Sequence, residues 1–436
     1  MTSDTIVESS IPKTASLNLL QIVALYIGSV LGSGILILPG LTADMAGPAS
    51  LLSWGFMSIL SIPMALTMGL LSVHLPHAGG VSHFVSTALN PEIGSLVGYF
   101  FLVSAVMAVP IMAITGAGYV CTAFGFGEAA RIIITVLILL TAVGSNYIGM
   151  QMTGKIQLAV VIGIISILVG SVLGSLPAIS PVNLTPFLPH GWMSVGHAAT
   201  LIFWCFLGWE AISHVTEEFE NPKRDIVKGT IISAVIISIL YLATIGAVIG
   251  THSYGPGISA VSLIHLIKIA AGTNGMVIAG FITLFITIAP AIAYTGAASR
   301  LAFALAQQGS APGFFSRLSP HFHTPVGGLI VLFLSYLIIL AIYYSGLISL
   351  QVLIQIPNAS FILTYMAGCL AGLILFRGEF LGMLVSGISF LLTGIILCFV
   401  GWAILCPVII TVLWGLYRMV TIHAIRRKLE ARQRNS

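Results

Sequence analysis

The chain has 436 residues, of which 58% are hydrophobic and only 6% charged, and its mean hydropathy is +1.10. That is more apolar surface than a water-soluble fold can bury, so the composition excludes a soluble enzyme and leaves an integral membrane protein. The net charge of +4 sits largely in a basic stretch near the C-terminus, which suits a topology anchor at anionic headgroups and gives no footprint for nucleic acid.

The apolar runs are long and uninterrupted rather than alternating. They therefore predict helices, which satisfy their own backbone hydrogen bonds, over a β-barrel. Residues 1–17 are polar and read as a cytoplasmic N-terminus, and the run that follows is too long for a signal-peptide core, so no cleavage is expected. Five spans follow, at 18–46, 51–75, 93–124, 129–149 and 154–176, and together they make a first five-helix unit over 18–176.

The first span contains GSVLGSGILILPG, Gly28 to Gly40. Glycine and serine suit an uninterrupted helix poorly. Gly28, Gly32 and Gly34 let the backbone unwind, and the helix resuming near Ile35 would present unpaired N–H groups and a positive dipole end. A carboxylate fits that need, with the Ser33 hydroxyl and N–H as natural partners.

A second unit over 177–376 holds spans at 195–216, 227–250, 275–306, 326–345 and 348–376. The sixth span carries LIFWCFLGWEAISH, in which Gly208 stands between Trp204 and Trp209, about 176 positions after the glycines of the first span. Paired interruptions at corresponding places are the signature of a secondary transporter built from inverted repeats, with the site at the membrane midplane. Two further spans, 381–399 and 402–422, lie within a segment 377–422, and a basic cytoplasmic tail occupies 423–436.

Glu210 is the most expensive residue in these spans, at about 2.5–3.5 kcal/mol on insertion scales. It either caps the second half-helix of the sixth span or gains and loses a proton as a cavity opens to each side. Trp204 suits a gate over a pocket, with Phe206, Trp209, Met107, Met112, Tyr294 and Phe361 as possible neighbours. Apart from Glu210 no charge is at hand to recognise a charged side chain, so the variable part of the ligand is expected to be neutral and apolar.

Fourteen of the sixteen lysines and arginines fall on one side if the N-terminus is inside; only Arg131 and Lys268 fall on the other, which predicts two cytoplasmic termini. The acidic and basic residues between Glu217 and Lys228 suit either an inward gate of ion pairs or a solvated loop. Other motifs fail. Ile156 stands where a phosphate-binding loop needs Ser or Thr, and His214 with Glu217 lacks a second ligand pair, so neither a nucleotide nor a metal cofactor is expected. The five cysteines read as small apolar residues.

With these residues in view, the chain resembles the amino acid–polyamine–organocation transporter superfamily, in the branch of five-helix inverted-repeat carriers. Four motifs carry the resemblance: GSVLGSGILILPG, LPHAGGVSHFV, FWCFLGWEAISHVTEEFENPKRD and SRLAFALAQQGSAPGFFSRLSPHFHTP. Within that superfamily it is most similar to bacterial exporters of methionine and branched-chain amino acids. The resemblance implies an all-α fold with twelve transmembrane helices, a 5+5 inverted repeat plus two C-terminal helices, and discontinuous first and sixth helices. It implies that the substrate carboxylate meets the backbone at Gly32, Ser33 and Gly34, and that the ammonium meets carbonyls at Val30, Trp204 and Leu207. Trp204 matches a gating aromatic, and Glu210 an acidic position tied to proton dependence. The fifth span departs from some relatives in holding only Lys155, at its end; Thr295 and Ser299 could serve a sodium ion with first-span carbonyls.

The resulting expectation is a carrier in the cell inner membrane that exports methionine, leucine, isoleucine or valine by alternating access and proton antiport. An importer or exchanger of the same fold is the nearest alternative, and a membrane amino-acid sensor that binds without turnover is the alternative of another class.

Overall fold

A computed structural model describes residues 18–76, 79–149, 154–209, 222–307 and 309–434. The described chain is helical throughout. Residues 18–46 form two short helices, α1 (Leu19–Val30) and α2 (Gly34–Ala46). Then come α3 (Ser50–His74), the short α4 (Gly80–Ala88), α5 (Pro91–Phe124), α6 (Glu128–Tyr147) and α7 (Gly154–Ser175). The second half has α8 (Gly191–Ile202), α9 (Pro222–Gly250), α10 (Ser262–Gln307), α11 (Val326–Tyr344) and α12 (Leu350–Leu375). The helices α13 (Phe380–Leu397) and α14 (Leu405–Arg434) follow.

Local chemistry sets the helix ends. Asn18 and Gln21 form a reciprocal capping box at the start of α1. Asn90 caps α5, with Pro91 in the first turn, where its missing N–H costs nothing, and left-handed Gly125 closes the far end. Ser349 caps α12 in the same manner as Asn90.

Among the described residues, ten helical stretches are long and apolar enough to cross a membrane. The protein is thus a multi-pass membrane protein. At 12 residues each, α1 and α8 are too short to cross a hydrocarbon core of about 30 Å. α1 is followed by α2 across the interruption expected at Gly32, and α8 ends before Gly208, with the chain after residue 209 outside the described residues.

Several boundaries differ from expectation, and α4 had not been expected. α10 begins at Ser262 rather than 275, because a helical segment before Gly272, which has φ 65°, runs into the long helix across a kink. The helix of the last span continues to Arg434, through the basic stretch.

The helices pack in a pattern that ties the two halves together: α3 lies on α9, α5 on α10 and α6 on α11. The α6–α11 pair is pinned at one end by the Arg131 guanidinium, which donates to Tyr343 Oη at 3.0 Å, and by a Thr135–Tyr344 hydroxyl pair at 2.8 Å. Arg418 of α14 pairs with Glu92 at the start of α5. Asp225, in the first turn of α9, is the one charged side chain among the described residues that is buried.

Candidate substrate site at two facing helix breaks

α1 stops at Val30, and the Leu31 N–H makes the last helical bond, to Ile27 O at 2.8 Å. Gly32 and Ser33 follow before α2 resumes at Gly34, so the first N–H groups of α2 have no preceding turn to bond. The Ser33 side chain does not cap them. Its hydroxyl is buried and has no hydrogen-bond partner among the described residues. Beside it, Gly32 keeps some accessible surface, and a Cβ built there would meet nothing nearer than Val30 O at 4.0 Å. The backbone at Gly32 therefore borders open space.

The second break is built differently. α8 ends at Ile202, a tighter turn covers Phe203–Phe206, and Leu207 and Gly208 are extended or left-handed, with Gly208 at φ 110°. Gly208 sits directly on the first break: a Cβ there would lie 2.3 Å from Ser29 O. Gly34 is closed from the other side, since its Cβ would fall 2.8 Å from Cys205 Sγ and 2.9 Å from Trp204 Cδ1. The roles of the three glycines thus divide. Gly32 borders free volume, whereas Gly34 and Gly208 let the two interrupted segments touch.

Three side chains outside the breaks hold them in register. Asn358 of α12, 2% exposed, donates through Nδ2 to Thr200 O at 2.9 Å and Leu201 O at 3.1 Å, in the last turn of α8. Tyr365, two turns along the same helix, accepts from the Gly208 N–H at 3.2 Å. Tyr241 of α9 reaches both breaks, donating to Cys205 O at 3.0 Å and to Val30 O at 3.3 Å. Sequence reasoning missed all three, and their only sequence signal is a polar or phenolic group in an otherwise apolar span.

An aromatic row continues from the second break. Trp204 meets Phe361 edge to face at 6.1 Å, Phe361 meets Phe101 at 5.9 Å, and Phe101 stacks on Tyr294 at 6.4 Å. The expected pocket residues Trp204, Phe361 and Tyr294 are therefore joined, through a Phe101 that the sequence reading did not select. Leu207 is buried beside them in sequence, and Val30 ends α1 at the Tyr241 contact. Met107 stands half-buried on α5, and Met112 is in the core. Trp209 packs on Tyr26 of α1 at 5.6 Å.

The Thr295 hydroxyl pairs with Tyr336 Oη of α11 at 3.2 Å, and Ser299 donates to Gly296 O and lies against Gly328 of α11. Both are engaged on the α11 side of α10. The middle of α7 buries Val161, Ile164 and Leu168, all apolar. Glu210, and the loop residues from Glu217 to Glu220, lie outside the described residues.

The interruption of the first span and the extended Leu207–Gly208 segment lie face to face, with an apolar aromatic row beside them, so backbone N–H groups, carbonyls and ring surface come together here. The model of the amino acid permease family matches residues 17–422. The chain belongs to that family. It is similar to the "Uncharacterized amino acid permease YecA" of Bacillus subtilis, at 35% identity over 95% of this chain and 98% of that one. It is also similar to the "L-methionine/branched-chain amino acid exporter YjeH" of Escherichia coli, at 29% over 88% and 92%. A third relative is the "Branched-chain amino acid permease BcaP" of Bacillus subtilis, at 25% over 69% of each chain. These proteins and their family are transporters, so this amino acid permease is a membrane transporter and not an enzyme.

Proposed function

We infer that this permease exports neutral, apolar L-amino acids, namely methionine, leucine, isoleucine and valine, by alternating access with proton antiport across the inner membrane. The observation that carries the reading is the contact between the two breaks at Gly208 and Ser29–Val30. The end of α1 meets the extended Leu207–Gly208 segment there, so one zwitterion can lay its carboxylate on the backbone at Gly32, Ser33 and Gly34 and its ammonium on carbonyls at Val30, Trp204 and Leu207. The apolar side chain then faces the row Trp204, Phe361, Phe101 and Tyr294, with Trp204 as gate. No charged side chain is needed to read it.

The architecture we favour has twelve spans, with a first repeat over 18–176, an inverted second repeat over 177–376, two further helices, and both termini cytoplasmic. The pairing of α3 with α9, α5 with α10 and α6 with α11 supports a two-fold relation between halves. The methionine and branched-chain assignment draws on the relatives named exporter and permease for those substrates. An importer or exchanger of the same fold draws on the same geometry, because gradients set direction.

Purified protein in proteoliposomes, assayed for counterflow of each of the twenty labelled amino acids, tests the reading. Methionine and leucine should exchange most strongly, and absence of counterflow throughout would overturn it. For coupling, Glu210→Gln is expected to insert normally and to exchange substrate while losing acceleration by an imposed pH gradient. Retained acceleration would remove Glu210 from the proton path.

A further inference from the structure

Val30 O and Cys205 O share a predicament. In continuous helices they would accept from the N–H groups of residues 34 and 209, but each lies at an interruption, where that bond is not made. A buried carbonyl without a donor is costly, and both residues are buried. The Tyr241 hydroxyl answers both at once, at 3.0 Å from Cys205 O and 3.3 Å from Val30 O. Its ring is fully buried and held edge-on by Trp54 at 5.4 Å and Phe206 at 5.3 Å, so the hydroxyl has little freedom to go elsewhere. A phenol carries one proton, however, and here it faces two acceptors. One of those acceptors, Val30 O, is a carbonyl that the proposed function assigns to the substrate ammonium.

We propose that the Tyr241 hydroxyl is an internal stand-in for the substrate ammonium. With cargo aboard, the ammonium satisfies Val30 O and the phenol proton settles on Cys205 O. With no cargo, the phenol supplies the donor shared by both breaks. The carrier can therefore close and reorient without leaving these carbonyls bare. Tyr241 is thus a positioning residue for the empty half of the transport cycle, and the consequence is net transport rather than strict one-for-one exchange. Its helix, α9, is not among the spans whose side chains form the aromatic row, so its part is distinct from reading the substrate. The proposal rests on the substrate-site reading of the breaks.

The experiment compares wild type with Tyr241→Phe, which keeps the ring and removes the proton. Proteoliposomes loaded with labelled leucine, or with whichever amino acid gives the strongest counterflow, are diluted into buffer that is either free of amino acid or saturated with the unlabelled form. Wild type should release label into both. In the variant the loaded carrier leaves only Cys205 O bare, since the ammonium still reaches Val30 O, whereas the empty carrier leaves both carbonyls bare, so release into amino-acid-free buffer should fall about tenfold further than exchange does. Equal losses in both buffers, or no change in their ratio, would overturn the proposal. If the variant fails to insert, wild type decides. Release into amino-acid-free buffer at a rate comparable with exchange supports the stand-in, and strict dependence on external substrate refutes it. Absence of counterflow in wild type with every amino acid would instead bring down the substrate-site reading itself.

Discussion

Gly208→Ala is expected to abolish transport while leaving the protein inserted in the membrane. The backbone there has φ 110°, a conformation that costs a residue with a Cβ about 1–3 kcal/mol. Added to that is a collision with backbone rather than with a side chain that could swing aside: the new Cβ would lie 2.3 Å from Ser29 O and 2.9 Å from Ser29 C. Relief requires the two breaks to separate, which dismantles the site between them. Counterflow should fall by at least about a hundredfold, since a misplacement of roughly an ångström at a site can cost that much. The neighbouring glycines supply a graded control. Gly34→Ala meets Cys205 Sγ and Trp204 Cδ1, side-chain atoms that can yield, and should be intermediate. Gly32→Ala meets nothing closer than 4.0 Å and should transport nearly as wild type, whereas Gly32→Leu would fill the open space and block binding. Counterflow rates normalised to reconstituted protein check the order, and a tolerant Gly208 beside an intolerant Gly32→Ala would reverse the assignment of roles.

Asn358→Leu is expected to give the second largest loss. Leucine matches the volume but withdraws both Nδ2 hydrogens from Thr200 O and Leu201 O, at a position 2% exposed. A buried acceptor left without its donor costs about 1–3 kcal/mol, and here the end of α8 loses its anchor to α12. The thermal midpoint in detergent should fall, and exchange should drop by roughly tenfold or more, at about 1.4 kcal/mol per factor of ten. Because Phe361 and Tyr365 share the same helix and also contact residues 203–208, the rest of the row should persist. An Asn358→Leu protein with wild-type melting and exchange would show that these carbonyls need no cap. Asn358 Oδ1 is itself buried without a partner among the described residues, so its contribution lies in the two donated bonds.

Helix extents were legible wherever an apolar run ended at a strong signal. α3, α5, α9 and α11 begin or end close to the expected limits, with Asn90–Pro91, Gly125 and Pro325 marking the ends. The span expected from 275 matches the part of α10 that follows Gly272, whose φ of 65° breaks the helical backbone, whereas the helical segment from Ser262 to that kink was not expected. The candidate site was partly legible. Trp204, Tyr294 and Phe361 were selectable as large rings in interrupted or adjacent spans, whereas Phe101 was hidden among the other aromatic residues of α5. Thr295 and Ser299 were selectable as hydroxyls, but not the side of α10 on which they are engaged.

Local composition by itself determined that this protein crosses a membrane as helices and that the first span is broken, since glycine, serine and apolar content act on backbone and solvent within a few residues. Only the tertiary structure decided that the two breaks touch, and that Asn358, Tyr241 and Tyr365 satisfy them. Those bonds join positions 157, 158 and 211 residues apart, as in Gly208 to Tyr365, Asn358 to Thr200 and Tyr241 to Val30. A carbonyl freed in an apolar interior must take whichever donor the packing of other helices brings within about 3 Å, and nothing in its own stretch of chain names that donor.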